Sequence, residues 1–89
     1  MLKITEIKRT CFACPAQWEG KGPTGYVYIK FRWGHLDVRF GPTIEDAVAG
    51  NSIFEWHDPD DSNGLMEYDE LKRITGESLD LPEKETSEI

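Results

Sequence analysis

Residues 26–40 alternate apolar and polar side chains more regularly than any other part of the chain. The two sides of this stretch are Val27, Ile29, Phe31 and Trp33 on the apolar side, and Tyr26, Tyr28, Lys30 and Arg32 on the polar side. A period of two is typical of a strand that buries one face. Gly34 and His35 then predict a two-residue turn of type II′, because glycine is favoured at its first position. The apolar side continues through Leu36, Val38 and Phe40, so the sequence predicts a β-hairpin over residues 26–41.

The segments around this hairpin predict a small α+β domain. An irregular apolar pattern over residues 2–10 predicts a first strand, and the glycines of residues 20–25 predict a loop. Thr43 begins a capping-box pattern that predicts a helix near 43–49. Residues 52–57 predict a further strand, and acidic residues followed by basic ones predict a second helix near 67–75. The expected fold class is α+β, with a small, mainly antiparallel sheet of three or four strands and two short helices.

One domain over residues 1–76 is expected, because 89 residues leave room for only one small core. Residues 77–89 contain many acids and few apolar side chains, and they predict a flexible acidic tail. No stretch approaches the about 20 apolar residues of a membrane span, and residues 1–6 show no apolar core of a signal peptide. Two cysteines are too few for the disulfide framework of a small secreted domain. We therefore expect a cytoplasmic protein that has no membrane partner.

Charge is divided unequally along the chain. Residues 1–41 contain seven lysines and arginines against three acids, a net charge of +4, whereas residues 42–89 contain three against fourteen, a net charge of −11, which gives −7 for the chain. Such an asymmetry concerns partners rather than fold. It predicts a protein partner with a basic surface. The carboxylates expected to contact that partner are Asp58, Asp60, Asp61, Glu67, Asp69 and Glu70.

Residues 59–70 partly match a calcium-binding EF-hand loop. With Gly64 at the turn position of the loop, the ligand positions are occupied by Asp61, Asn63, Glu67 and Glu70. Pro59 would occupy the first ligand position, where the family requires an acid, and Gly50 interrupts the helix that should precede the loop. The preferred interpretation is a turn at Asn63 and Gly64 that leads into an acid-capped helix. A calcium-binding module is kept as an alternative.

Cys11 and Cys14 have the spacing of half a zinc site, which His35 and His57 could complete. The histidines lie far along the chain from the cysteines, so this set depends on how the chain folds. Buried cysteines that act as small apolar side chains are the preferred interpretation. No nucleophile is paired with a base in the sequence and no phosphate-binding loop is present. The chain is therefore expected to be no enzyme and to use no cofactor.

A second candidate surface lies on the polar side of the hairpin. Aromatic and basic side chains alternate there, a pattern that suits the stacking of bases and the neutralisation of phosphates. The residues of this alternative ligand face are Tyr26, Tyr28, Lys30, Arg32 and Arg39, with Trp18 in a neighbouring segment. The alternative function is therefore binding of a nucleotide or of single-stranded nucleic acid. A solvated or helix-covered sheet face, or a protein interface, would show the same pattern.

Two motifs resemble those of small uncharacterised proteins of bacteria and their phages. The first is the stretch Cys-Pro-Ala-Gln-Trp-Glu-Gly at 14–20, and the second is the hairpin sequence Tyr-Ile-Lys-Phe-Arg-Trp-Gly-His-Leu at 28–36. The resemblance covers about the first half of the chain and implies a setting rather than an activity. With the acidic charge, it leads us to expect a non-catalytic binding protein of a phage or mobile element. Such a protein would inhibit a host protein that handles nucleic acid or acts in defence.

Overall fold

A six-stranded sheet organises the chain in the computed structural model, which describes residues 1–11, 16–58, 66–85 and 87–88. In chain order the elements are β1 (Leu2–Lys3), β2 (Glu6–Cys11), β3 (Ala16–Gly22), β4 (Gly25–Arg32), β5 (His35–Gly41), α1 (Ile44–Ala49), β6 (Ser52–His57), α2 (Tyr68–Thr75), β7 (Leu79–Asp80) and β8 (Ser87–Glu88). Strands β2 to β6 pair antiparallel in sequence order. At one edge β8 pairs parallel with β2, and β1 and β7 form a separate parallel pair.

The predicted α+β class is confirmed, and both predicted helices form within one residue of their expected bounds. The number of strands exceeds the prediction, since five strands pair antiparallel where three or four are expected. Among the described residues, no helix is long and apolar enough to cross a membrane.

Strand β3 is the longest element that the sequence does not predict. Its glycines suggest a loop, but they serve a close approach between β3 and the N-terminal segment. A Cβ atom on Gly22 would lie 1.9 Å from the carbonyl oxygen of Lys3. Glycine within a strand often marks such a place, where another backbone comes near. The same N-terminal segment is broken into β1 and β2 instead of forming the single strand predicted over residues 2–10.

The core lies on the face of the sheet that α2 covers, which we call the inner face. The apolar side of the predicted hairpin is buried here as far as Phe31, and Leu36 and Val38 are buried on the returning strand. Phe54 and Trp56 on β6 pack against this core from the edge of the sheet. The buried side chains of the core include Ile4, Ile7, Trp18, Val27, Ile29, Phe31, Leu36, Val38, Met66, Leu71 and Leu79.

Helix α1 lies on the opposite face, which we call the outer face. It begins where the Thr43 hydroxyl accepts a hydrogen bond from the Asp46 amide at 3.1 Å. The helix packs so closely on the end of β5 that a Cβ atom on Gly41 would lie 2.6 Å from the Ala47 nitrogen. The outer face is therefore covered at the Gly41 end of the hairpin and open at the end where β4 turns into β5.

The segment after α2 lies against the domain. Leu79 is buried, and the Tyr68 hydroxyl donates to the Pro82 carbonyl at 2.6 Å. Burial, reinforced by the carboxylate of Glu85, raises the pKa of Tyr68 well above its ordinary value. On β2, Arg9 forms an ion pair with Glu85 at 3.1 Å between Nε and Oε2. The acidic composition of residues 77–89 does not predict these contacts. Whether the segment is also flexible, as the sequence predicts, is a separate question that the contacts do not answer.

Candidate interaction surface

The turn between β4 and β5 lies one residue earlier than the sequence predicts. The pattern favours a type II′ turn at Gly34 and His35, whereas the structure has β4 ending at Arg32 and β5 beginning at His35. Trp33 and Gly34 are thus the two turn residues, with φ values of 53° and 77°. Positive φ at both positions is the geometry of a type I′ turn. Because the strand ends before residue 33, Trp33 does not reach the inner face.

Trp33 is 68 % exposed, although the alternation places it on the buried side of the hairpin. A bulky residue with positive φ is rare, because its Cβ crowds the backbone there. Asparagine or glycine fits this position at lower free energy. The chain therefore carries a large apolar ring in solvent at a position where its backbone is strained. Such a combination is a reason to look for a functional role.

Two histidines lie beside this turn on the outer face. His35 stands opposite Arg32 on β4 and opposite His57 on β6. The two imidazole rings stack with their centroids 4.6 Å apart and their planes within 8°. The Nε2 atom of His35 lies 2.9 Å from Oε1 of Glu55, which precedes His57 by two residues on β6. Arg32, His35, Glu55 and His57 are thus neighbours on the outer face, and together with the adjacent turn residue Trp33 we call them the tip surface.

The rest of the open outer face is more polar and more fully bonded. Gln17 donates to the Tyr28 hydroxyl at 2.7 Å. Burial, together with the nearby carboxylate of Glu19, raises the pKa of Tyr28 above its ordinary value. Arg39 donates to Asp37 at 2.8 Å and to the carbonyl oxygens of Val48 and Gly50 at the end of α1.

The predicted ligand face is therefore only partly assembled. Tyr26, Tyr28, Lys30, Arg32 and Arg39 do share the outer face, but α1 lies beside Tyr26, and Arg39 bonds to its end. Trp18 lies on the inner face and is fully buried, with the Arg9 guanidinium 4.4 Å above its ring. It belongs to the core and forms no part of this ligand face. Lys30 and Arg32 are the members nearest the exposed tryptophan.

The acidic residues predicted to contact a partner do not form one patch in the described part of the chain. Asp58 lies at the β6 edge, where its amide donates to the Gly34 carbonyl at 2.7 Å. Glu67 and Asp69 are exposed at the start of α2, and Glu70 pairs with Arg73 at 3.5 Å. The residue before Glu67, Met66, accepts from Arg9 on β2, so β3, β4 and β5 separate this group from Asp58 at the end of β6. Asp60 and Asp61 lie outside the described residues.

The predicted metal sets are divided in the same way. Among the zinc candidates, His35 and His57 do come together, but Cys11 lies on β2, three strand spacings from β5, or about 14 Å. Cys14 lies outside the described residues, as do Asp61 and Asn63 of the calcium set. Within residues 1–11, 16–58, 66–85 and 87–88, no three acidic, histidine or cysteine side chains are grouped closely enough to hold a metal ion.

A groove of about 340 Å³ lies between α1 and the outer surfaces of β2 and β3. Its lining includes Tyr26 and Ile44, with the Lys21 and Glu6 side chains paired at 3.7 Å along one wall. Charges of both signs line this groove, and no buried polar group of its lining points to one kind of ligand.

The tip surface is the feature that the sequence conceals. A strict period of two assigns Trp33 to the core, and nothing in the pattern marks where the strand ends. The dipeptide Trp33-Gly34 is the available signal, because a glycine that follows a bulky residue can also be the second residue of a type I′ turn. Comparisons of the chain with protein-family models, with curated proteins and with solved structures yield no match.

Proposed function

We propose that the chain is a non-catalytic protein-binding domain that contacts its partner through the tip surface. The observation that carries this proposal is the 68 % exposure of Trp33 at a strained, positive-φ position. Tryptophan and arginine dominate the binding free energy of protein interfaces, and Arg32 directly precedes Trp33. A two-residue turn fixes the backbone that carries both side chains, so little backbone conformational entropy is lost when they bind.

We propose further that the partner is a basic protein of a bacterial host, which the chain inhibits as a phage or mobile-element product. The net charge of −7 supports this step, because charge of one sign steers a partner of opposite charge into contact. The exposed carboxylates of Glu67 and Asp69 lie away from the tip surface, and they contribute to the long-range attraction of a basic partner rather than to the contact itself. A nucleic-acid-handling or defence protein has a basic surface of the required kind.

Substitution of Trp33 by asparagine tests the role of the tip. An Asn-Gly turn is favoured in type I′ geometry, so Trp33→Asn should keep the fold and raise the thermal midpoint by a few degrees. The same change should weaken partner binding about thirtyfold or more, the loss expected for an interface anchor worth about 2 kcal/mol. Proteins retained from a bacterial extract are identified on the immobilised wild-type chain, and their dissociation constants are then measured by titration calorimetry.

The matched control is Val48→Asn, which removes another exposed apolar side chain, on α1. This variant should keep the affinity of the wild-type chain. Equal binding of one partner by the wild-type chain and by Trp33→Asn would show that the tip is no binding surface.

Binding of a nucleotide or of single-stranded nucleic acid is the second candidate. The observation that favours it is that Lys30 and Arg32 lie on the outer face of β4, and the exposed Trp33 directly follows this strand. In this case Trp33 stacks on a base, and its fluorescence is quenched on titration with a thymidine oligonucleotide. The affinity should fall steeply with salt and be lost in Arg32→Ala. Unchanged fluorescence at low salt would exclude this function.

A further inference from the structure

Strand β6 forms an open edge of the sheet. It pairs with β5 on one side, and among the described residues no strand lies on its other side. Natural edge strands are usually protected by proline, by lysine, by a bulge or by a short length. β6 has six residues without proline or lysine, and the irregularity in its pairing lies at the Ser52 end. The irregularity falls at Ile53, which has no partner on β5, so within the described part of the chain residues 54–57 present a regular edge without these protections.

The hydrogen-bond pattern shows which backbone groups face outward. The Asp58 amide donates to the Gly34 carbonyl, which continues the β5–β6 register by one pair beyond His57. In an antiparallel ladder every second residue bonds to the neighbouring strand. Phe54, Trp56 and Asp58 therefore bond toward β5. The N–H and C=O groups of Glu55 and His57 point away from the sheet.

We infer that this edge pairs with the same edge of a second copy of the chain, about a two-fold axis at Trp56. An antiparallel pair must match outward-facing residues with one another, and with Glu55 and His57 facing outward this allows two-fold axes at Glu55, Trp56 or His57. An axis at His57 would place two imidazoles opposite each other, with no carboxylate facing them. An axis at Glu55 would place two carboxylates opposite each other, which is unfavourable. An axis at Trp56 places Glu55 opposite His57 of the second copy twice, so the strand is self-complementary in this register.

The same axis brings the two Trp56 side chains together on the inner face. Each is half-buried and lies against Phe31, with ring centroids 6.5 Å apart. They occupy a pair that is not hydrogen-bonded, where cross-strand side chains come closest. An aromatic pair and two carboxylate–imidazole pairs each add stabilisation to the backbone hydrogen bonds. The result is one sheet that continues through both copies, a closed and isologous dimer.

A charge swap on the full chain tests this register, with the dimer dissociation constant measured by sedimentation at physiological salt. The wild-type chain should dimerise reversibly. His57→Glu places a second carboxylate opposite Glu55 at both symmetry-related positions and should weaken the dimer at least tenfold. The combined Glu55→His and His57→Glu variant again faces each carboxylate with an imidazole, and its dissociation constant should return to within about threefold of wild type.

Each outcome decides the inference, provided that the variants keep the circular-dichroism spectrum of the wild-type chain. A wild-type chain that stays monomeric at millimolar concentration would overturn it. A swap variant that remains as weak as His57→Glu would overturn the register at Trp56. Trp33→Asn should leave the dimer unchanged, because Trp33 does not lie on β6. Glu55 and His57 belong to the tip surface as well, so dimerisation is measured on the purified chain without a partner, and its failure leaves the test of Trp33 in partner binding unaffected.

Discussion

Asp37 is the residue that holds β5, β6 and α1 together on the outer face. It is 7 % exposed and accepts hydrogen bonds from Ser52 at the start of β6 and from Arg39, which also bonds to the end of α1. Burial by itself raises the pKa of a carboxyl group. Here the hydrogen bonds and the positive charge of Arg39 outweigh it, so the pKa of Asp37 lies below its ordinary value of 3.8.

The lowered pKa of Asp37 makes the stability of the domain depend on pH. A carboxylate whose pKa is lower in the folded state contributes stability above its unfolded pKa, and this contribution is lost as pH falls through the folded pKa. Asp37→Asn should therefore lower the free energy of unfolding by about 1–3 kcal/mol at pH 7. The difference from wild type should shrink below about pH 4. Urea unfolding at pH 7, 4 and 2.5 measures it.

Glu77→Gln is the control for this measurement, because Glu77 is exposed outside any helix or strand. Its free energy of unfolding should match wild type at every pH. If Asp37→Asn showed the same difference from wild type at pH 7 and at pH 2.5, ionisation of Asp37 would not be the source of the stability.

Among the elements, the hairpin shows which features the alternating sequence pattern can predict and which it cannot. The alternation correctly predicts two strands and their buried face, because apolar side chains every second residue can be buried only in that way. It cannot locate the turn, since Trp33 continues the pattern although the chain has already turned. Tertiary contacts decide the matter: β4 and β5 pair with Arg32 opposite His35, and this register leaves two residues for the loop.

Strand β3 and the segment after α2 are structured although no local sequence pattern predicts it. Both have compositions typical of loops or tails, and their structure depends on residues far along the chain. Gly22 is required by the passage of Lys3, and the acidic Glu85 is placed by Arg9 and by the Trp18 indole, which donates to it at 2.6 Å. No local pattern contains that information. For the same reason the sequence could not bring His35 and His57 together or place Trp18 in the core.

At the scale of the whole molecule, the division of charge along the chain does not become a division between two halves. Basic residues of the first half form ion pairs with acids of the second half. Arg9 pairs with Glu85 on the inner face, and Lys3 on β1 pairs with Asp80 on β7 at 3.4 Å. The exposed pair contributes little, because solvent screens it. The buried pair matters more, since Arg9 would be left in the interior without Glu85.

Removal of residues 77–89 should consequently destabilise the domain, and this outcome separates a docked segment from a flexible tail. The deletion removes Leu79 from the core and Glu85 from Arg9, whose side chain is only 5 % exposed. Loss of one partner of a buried ion pair costs about 3–5 kcal/mol, and loss of a buried leucine about 1.5–3 kcal/mol. Small domains are stable by about 5–15 kcal/mol, so residues 1–76 alone should unfold at a much lower urea concentration. A chain that ends at Glu85 keeps both groups and loses the pairing of β8 with β2, so it should lose about 1–3 kcal/mol, the net value of a few hydrogen bonds, and stay clearly more stable than residues 1–76. Equal urea midpoints for residues 1–76 and for the full chain would instead support the flexible tail.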